Sequence, residues 1–134
     1  MAKRVRVNVD GGARGNPGPA AIAAVATNPD GDILAERSEA IGEATNNVAE
    51  YRAMLLGIEL ARELKADEVE LIGDSELIVR QVQGKYRVKQ DHLRPLHTKV
   101  IDALRELPKW SIRSVKRAQN ERADELVNEA LDAA

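Results

Sequence analysis

Arg4-Val5-Arg6-Val7-Asn8-Val9-Asp10, followed by Gly11-Gly12-Ala13-Arg14-Gly15-Asn16-Pro17-Gly18-Pro19, is the stretch on which the fold turns. Its valines alternate with Arg4, Arg6 and Asn8, the two-residue period of a strand with one buried face. The strand is expected to stop at Asp10, because residues 11–19 are dense in glycine and proline and predict a loop. A carboxylate is thereby left at a strand end, beside backbone with little side-chain bulk.

Outward from there, residues 20–27 read as a second strand. Asn28-Pro29-Asp30-Gly31 forms a hairpin turn, and residues 32–41 a third strand, completing an antiparallel meander. Thr45-Asn46-Asn47 offers N-cap side chains to a long helix over residues 48–65. Only Arg52, Glu59 and Glu63 form a polar stripe on it, so the helix is expected to pack on more than one side. Residues 69–73 predict a fourth strand, and residues 75–83 a helix stopped by Gly84. A helix over residues 92–107 ends at Pro108, and residues 110–115 give a fifth strand. Asn120 is expected to cap a last helix whose apolar side carries Ala123, Leu126, Val127, Ala130 and Leu131. The order βββαβααβα implies right-handed crossovers and parallel pairing in the second half. The expectation is an α/β fold, a five-stranded mixed sheet flanked by helices, with residues 1–134 forming a single domain.

Composition narrows the function. The chain has no cysteine, which excludes disulfides and thiolate metal sites and suits a reducing cytosol. No apolar run is long enough to span a membrane, and Met1-Ala2-Lys3-Arg4 does not read as a signal peptide. A cytoplasmic monomer is expected. A net charge of −2, with 31% charged residues, argues against binding driven by overall positive charge. Tyr51, Tyr86 and Trp110 are the only aromatic residues, too few for a base-stacking platform. A nucleic-acid partner would therefore need local basic groups or metal ions at its phosphates.

Four acids stand out by position. Asp10 closes the first strand and Asp74 the fourth; if these are parallel neighbours, both emerge at the sheet edge where open α/β sheets bind ligands. Glu50, read in the first turn of the long helix, shares a face with Ala53, Gly57 and Ala61, whose small side chains allow close approach to the sheet. A carboxylate there is partly buried and calls for a compensating cation. Asp124 lies in the first turn of the last helix. Taken singly, acids at helix starts and strand ends commonly serve dipoles and turns. Taken together, without a nearby His or Cys, they suit Mg²⁺ or Mn²⁺ rather than Zn²⁺. Two such ions, about 4 Å apart, can clamp the attacking water and the leaving oxygen of a phosphodiester.

Four segments carry a family resemblance. Val9-Asp10-Gly11-Gly12-Ala13-Arg14-Gly15-Asn16-Pro17-Gly18-Pro19-Ala20 and Thr45-Asn46-Asn47-Val48-Ala49-Glu50-Tyr51 closely resemble the first two motifs of ribonuclease H type 1. Gly73-Asp74-Ser75 with residues 77–81, and Asn120-Glu121-Arg122-Ala123-Asp124 with Leu126 and Asn128, resemble the later two. Order and spacing are family-like, and the resemblance covers nearly the whole chain. It implies the ribonuclease H fold and an endonuclease that cuts the RNA strand of RNA–DNA hybrids. It also implies two-metal hydrolysis leaving 5′-phosphate and 3′-hydroxyl ends, with Asp10, Glu50, Asp74 and Asp124 as the metal-binding catalytic carboxylates. Hybrid contacts are implied at Gly11, Gly12, Asn16, Asn46 and Asn47, and a DNA-phosphate pocket at Thr45. Bare glycine backbone and amide side chains suit the 2′-hydroxyl, which both donates and accepts; helix capping is the competing role for Asn46 and Asn47.

The chain departs from the family in several places. Residues 114–119 lack the histidine many members carry in that loop; Arg117 is the candidate stand-in, against a solvated surface arginine. Some bacterial members carry an inserted basic helix for which the stretch after Gln83 is too short, and Lys85, Arg87 and Lys89 around Tyr86 offer a smaller basic contact or simply a solvated loop. Glu76 replaces a substrate-contacting glutamine, and His92 and His97 read as surface or packing residues. Three rival readings compete with this one. A nucleotide cradle at the Gly-rich loop fails, since no long helix starts there and no Gly-Lys-Ser/Thr occurs. A silent binding module of the same fold is disfavoured by the presence of all four acids. Double-stranded RNA stays open as a second substrate, because A-form helices share much of the hybrid's shape.

Overall fold

In the computed structural model, which describes residues 2–134, β1 (Arg4–Ala13) runs on past Asp10. It pairs antiparallel with β2 (Gly18–Thr27) through Gly11↔Ile22, Gly12↔Ala21 and Ala13↔Ala20. The expected loop over residues 11–19 is therefore only a short turn. Glycines persist in a strand where another backbone comes close. A Cβ on Gly11 would lie 2.3 Å from the Ala49 carbonyl oxygen.

The remaining elements follow the predicted order. They are β3 (Ile33–Ala44), α1 (Asn46–Glu63), β4 (Glu68–Gly73), α2 (Glu76–Val82), α3 (Arg94–Arg105), β5 (Trp110–Ser114) and α4 (Glu121–Ala133). Helix α3 starts later than expected, after a 3₁₀ turn at Asp91–Leu93. Pro95 lacks an amide hydrogen and fits only the first helical turn, which sets that start. The sheet order is β3-β2-β1-β4-β5, with β1–β4 and β4–β5 parallel and the other pairs antiparallel.

Helices cover both faces. Val5, Val7 and Val9 of β1 and Leu71 of β4 share one core with Met54 and Ile58 of α1 and Leu104 of α3. On the opposite face, Ala123, Leu126 and Val127 of α4 pack on Ala21, Ala23 and Val25 of β2. Each valine or leucine buried this way contributes about 1.5–3 kcal/mol. The small-residue face of α1 lets it press on the sheet: a Cβ on Gly57 would lie 2.5 Å from Val9 Cγ1. Among the described residues no helix is long and apolar enough to cross a membrane.

Candidate metal centre

The parallel pairing of β1 and β4 ends at Asn8↔Ile72. Asp10 stands two residues beyond that point, and Asp74 is the first residue after β4, so both reach the same sheet edge. Thr45 caps α1, its hydroxyl accepting from the Val48 amide at 3.2 Å. With Asn46 as the first helical residue, Glu50 lies in the second turn rather than the first, where α1 already presses on the sheet. Asp10 and Glu50 are accordingly only 6% and 7% exposed. One carboxylate oxygen from each of Asp10, Glu50 and Asp74 falls within 4.8 Å of the other two. Asp124, in the first turn of α4, borders the same cleft of about 570 Å³ but lies outside that triad. Its Oδ1 accepts from the Arg117 guanidinium at 3.3 Å.

This crowding of acids is electrostatically unfavourable without a counter-charge. Burial first, then the charges of Asp74 and Asp124, lifts Asp10 from the ordinary 3.8 to about 7. Burial, then Asp10 and Asp74, pushes Glu50 well above the usual carboxylate range, against the opposing pull of the Gly11 amide. Glu50 Oε2 is buried with no hydrogen-bond partner among the described residues. An orphan of this kind typically costs about 1–3 kcal/mol, and more when charged. A proton or a cation would relieve it. The donors are all oxygen, the set that hard divalent cations take, so the residues present fit such an ion.

The neighbouring residues divide into locks and open surface. Asn16 Oδ1 accepts from the Asn46 amide at 3.0 Å, and Asn46 Oδ1 from the Ala13 amide at 2.9 Å, clamping the β1–β2 turn to the start of α1. Neither Asn46 nor Asn47 caps the helix. Gly11 is bare because α1 leaves no room for a side chain, whereas the nearest atom to a Cβ on Gly12 would be Val127 Cγ1, at 3.9 Å. Gly12 thus keeps the cleft open without serving the packing. Lys85 and Arg87 lie away from the triad and line a second cleft of about 540 Å³ with Asn47, Leu77 and Tyr86. Arg80 sits 5.6 Å over the Tyr86 ring and pairs with Glu76 at 2.8 Å. His92 is exposed, and His97 packs edge-on to Tyr51, its Nε2 3.0 Å from the Gln81 carbonyl.

Asn120 differs from its expected role. Its side chain caps nothing; it is 2% exposed and reaches across the sheet edge. Nδ2 donates to the Val9 carbonyl at 2.8 Å and to Asp74 Oδ2 at 2.9 Å, while Oδ1 accepts from Asn8 Nδ2 at 3.1 Å. The alternation of Arg4, Arg6 and Asn8 pointed to solvent, so this pairing had no signal except an uncharged amide among arginines. Arg14 and Asn128, which line the carboxylate cleft, also escaped the sequence reading as site residues.

A five-stranded mixed sheet in this order, with acids gathered just beyond the parallel pairing of β1 with β4, defines a ribonuclease H-like domain. A family model described as reverse transcriptase-like matches residues 8–130. The Ribonuclease HI of Halobacterium salinarum is 46% identical over 131 residues, covering 98% of this chain and 66% of that relative. The crystal structure of RNase H1 from the same archaeon superposes with a TM-score of 0.95 at 46% identity, covering 98% and 99% of the two chains. The N-terminal ribonuclease H domain of a Mycobacterium tuberculosis protein gives 0.94 at 41% identity, covering 98% and 96%. LC11-RNase H1, crystallised in complex with an RNA/DNA hybrid, gives 0.91 at 46% identity, covering 96% and 97%. The chain belongs to the ribonuclease H type 1 branch of the reverse transcriptase-like family. It spans 66% of the halobacterial relative's length and 36% of a bifunctional mycobacterial relative's.

Proposed function

We propose that the chain is an endoribonuclease that hydrolyses the RNA strand of RNA–DNA hybrids, using two divalent ions held by Asp10, Glu50, Asp74 and Asp124. The observation that carries this reading is the buried, unpartnered Glu50 Oε2 inside a triad of carboxylates. Such an arrangement is unfavourable until a cation enters. Mg²⁺ is the expected ion, with Mn²⁺ as a substitute. When bound, divalent ions supply an activated water and charge neutralisation at the phosphate, consistent with 5′-phosphate and 3′-hydroxyl products. The resemblance to LC11-RNase H1, solved with a hybrid, supports the choice of substrate.

The chain's own groups then take defined roles. Asp10 and Glu50 present carboxylate oxygens in a cleft walled by α1, where a cation would take the place of a proton. Gly12 leaves room for a ribose backbone to approach, and Gly11 brings its amide against the Glu50 carboxylate. Asn16, Asn46 and Asn47 present amides able to meet a 2′-hydroxyl, with Thr45 beside them for a DNA phosphate. Lys85 and Arg87 neutralise phosphates along the second cleft. Arg117, 80% exposed at its side chain, is free to leave Asp124 for a phosphate or the product.

The test offers labelled hybrid, double-stranded RNA, double-stranded DNA and single-stranded RNA with Mg²⁺, Mn²⁺ or EDTA. Cleavage of the hybrid's RNA strand with metal, and none in EDTA, is expected. An intact hybrid under both metals would refute the proposal, and cleavage of double-stranded RNA would broaden the substrate.

A further inference from the structure

We infer that Asn120, braced by Asn8, is the positioning residue that holds Asp74 in the carboxylate triad; the inference rests on the metal-binding reading above. Asp74 lies just beyond β4, where ladder hydrogen bonds no longer fix the chain, and it is only partly buried. Among the described residues Asn120 Nδ2 is the one side-chain donor to it, at 2.9 Å.

The same NH₂ donates to the Val9 carbonyl, so the amide is anchored to the backbone beside Asp10. Asn8 donates to the remaining Oδ1 at 3.1 Å. The orientation is thereby over-determined: a flipped amide would set its oxygen against a carbonyl and a carboxylate, and its NH₂ against another NH₂. The backbone of Asn120 adds a fourth tie, because its carbonyl accepts from the Asp124 amide at 3.1 Å. One residue thus links the strand bearing Asp10, the carboxylate of Asp74 and the helix turn bearing Asp124.

The choice of an amide has a chemical reason. Lysine or arginine at this place would orient Asp74 but also neutralise it, competing with the cation. A neutral N–H orients one oxygen and leaves the full charge available to metal. Removing partners that orient metal ligands typically weakens metal affinity by about 10–100-fold.

The experiment titrates Mn²⁺ into metal-free protein and follows free Mn²⁺ by electron paramagnetic resonance, with hybrid kinetics at saturating Mn²⁺ in parallel. Asn120→Ala is expected to weaken Mn²⁺ binding about tenfold or more, with KM for the hybrid within about twofold of wild type. Asn8→Ala, which removes only the brace, is expected to weaken it about threefold, the value of one ordinary hydrogen bond. Val25→Ala loosens the same face of the sheet without touching Asp74, and is expected to leave Mn²⁺ affinity unchanged. Wild-type affinity in Asn120→Ala, or an equal loss in Val25→Ala, would overturn the inference. If Asn120→Ala fails to fold, Asn8→Ala decides, and unchanged affinity there overturns it. Wild-type protein that takes up no Mn²⁺ would instead refute the metal reading itself.

Discussion

Asp10→Asn should make the metal-free protein more stable while it destroys the function. In the folded chain Asp10 titrates near 7, against an ordinary value of 3.8, because of its burial and its acidic neighbours. The folded-state value lies above the unfolded one, so the folded state binds the proton more tightly. This contribution to stability is complete below about pH 4 and is lost as pH rises through about 7. Between pH 5.5 and 8.5 the folded state gives up its hold on the proton over about one and a half pH units. At about 1.4 kcal/mol each, this is about 2 kcal/mol. Glu50, shifted in the same direction, steepens the fall. Urea unfolding in EDTA at the two pH values measures it. Wild type should lose about 2 kcal/mol or more on going to pH 8.5. Asp10→Asn, neutral in both states, should exceed wild type by about 2 kcal/mol at pH 5.5 and by about 4 kcal/mol at pH 8.5. Added Mn²⁺ should close that gap by stabilising wild type alone. A flat wild-type profile, or an Asp10→Asn protein no more stable at pH 8.5, would refute the reasoning.

Three further outcomes follow from the geometry. Gly11→Ala drives a Cβ into the α1 backbone and should cost about 3 kcal/mol or more by thermal unfolding; Gly12→Ala should unfold like wild type but raise KM for the hybrid. Arg117→Ala should lower kcat about tenfold, the value of a charged hydrogen bond, with KM little changed; an unaltered steady-state rate would remove Arg117 from the reaction. The double variant Lys85→Ala, Arg87→Ala should weaken hybrid binding uniformly across sequences. It should also flatten the slope of log affinity against log salt by about 1.5–2 if both residues neutralise phosphates.

The order of elements was readable because each carries a local period: valine alternation in β1, the small face of α1, Gly84 and Pro108 as stops. The convergence of Asp10 and Asp74 followed from parallel pairing of their strands, and Glu50 from the alanine and glycine face beneath it. The misreadings have physical causes. The glycines after Asp10 read as loop because they lack side chains, whereas that bareness serves a strand running under α1. Thr45 won the cap from Asn46, so the helix began earlier and Glu50 fell one turn deeper. Asn120 read as a cap because nothing local distinguishes a capping amide from one spent on Val9 and Asp74. Such long-range pairings leave no period in the chain, and only the assembled sheet edge shows them.

The most direct measurement is a crystal soaked in Mn²⁺ and examined by anomalous scattering. Density is expected between Asp10, Glu50 and Asp74, with Glu50 Oε2 turned to the ion. Mn²⁺ bound only elsewhere on the molecule, leaving those three oxygens without a cation, would contradict it.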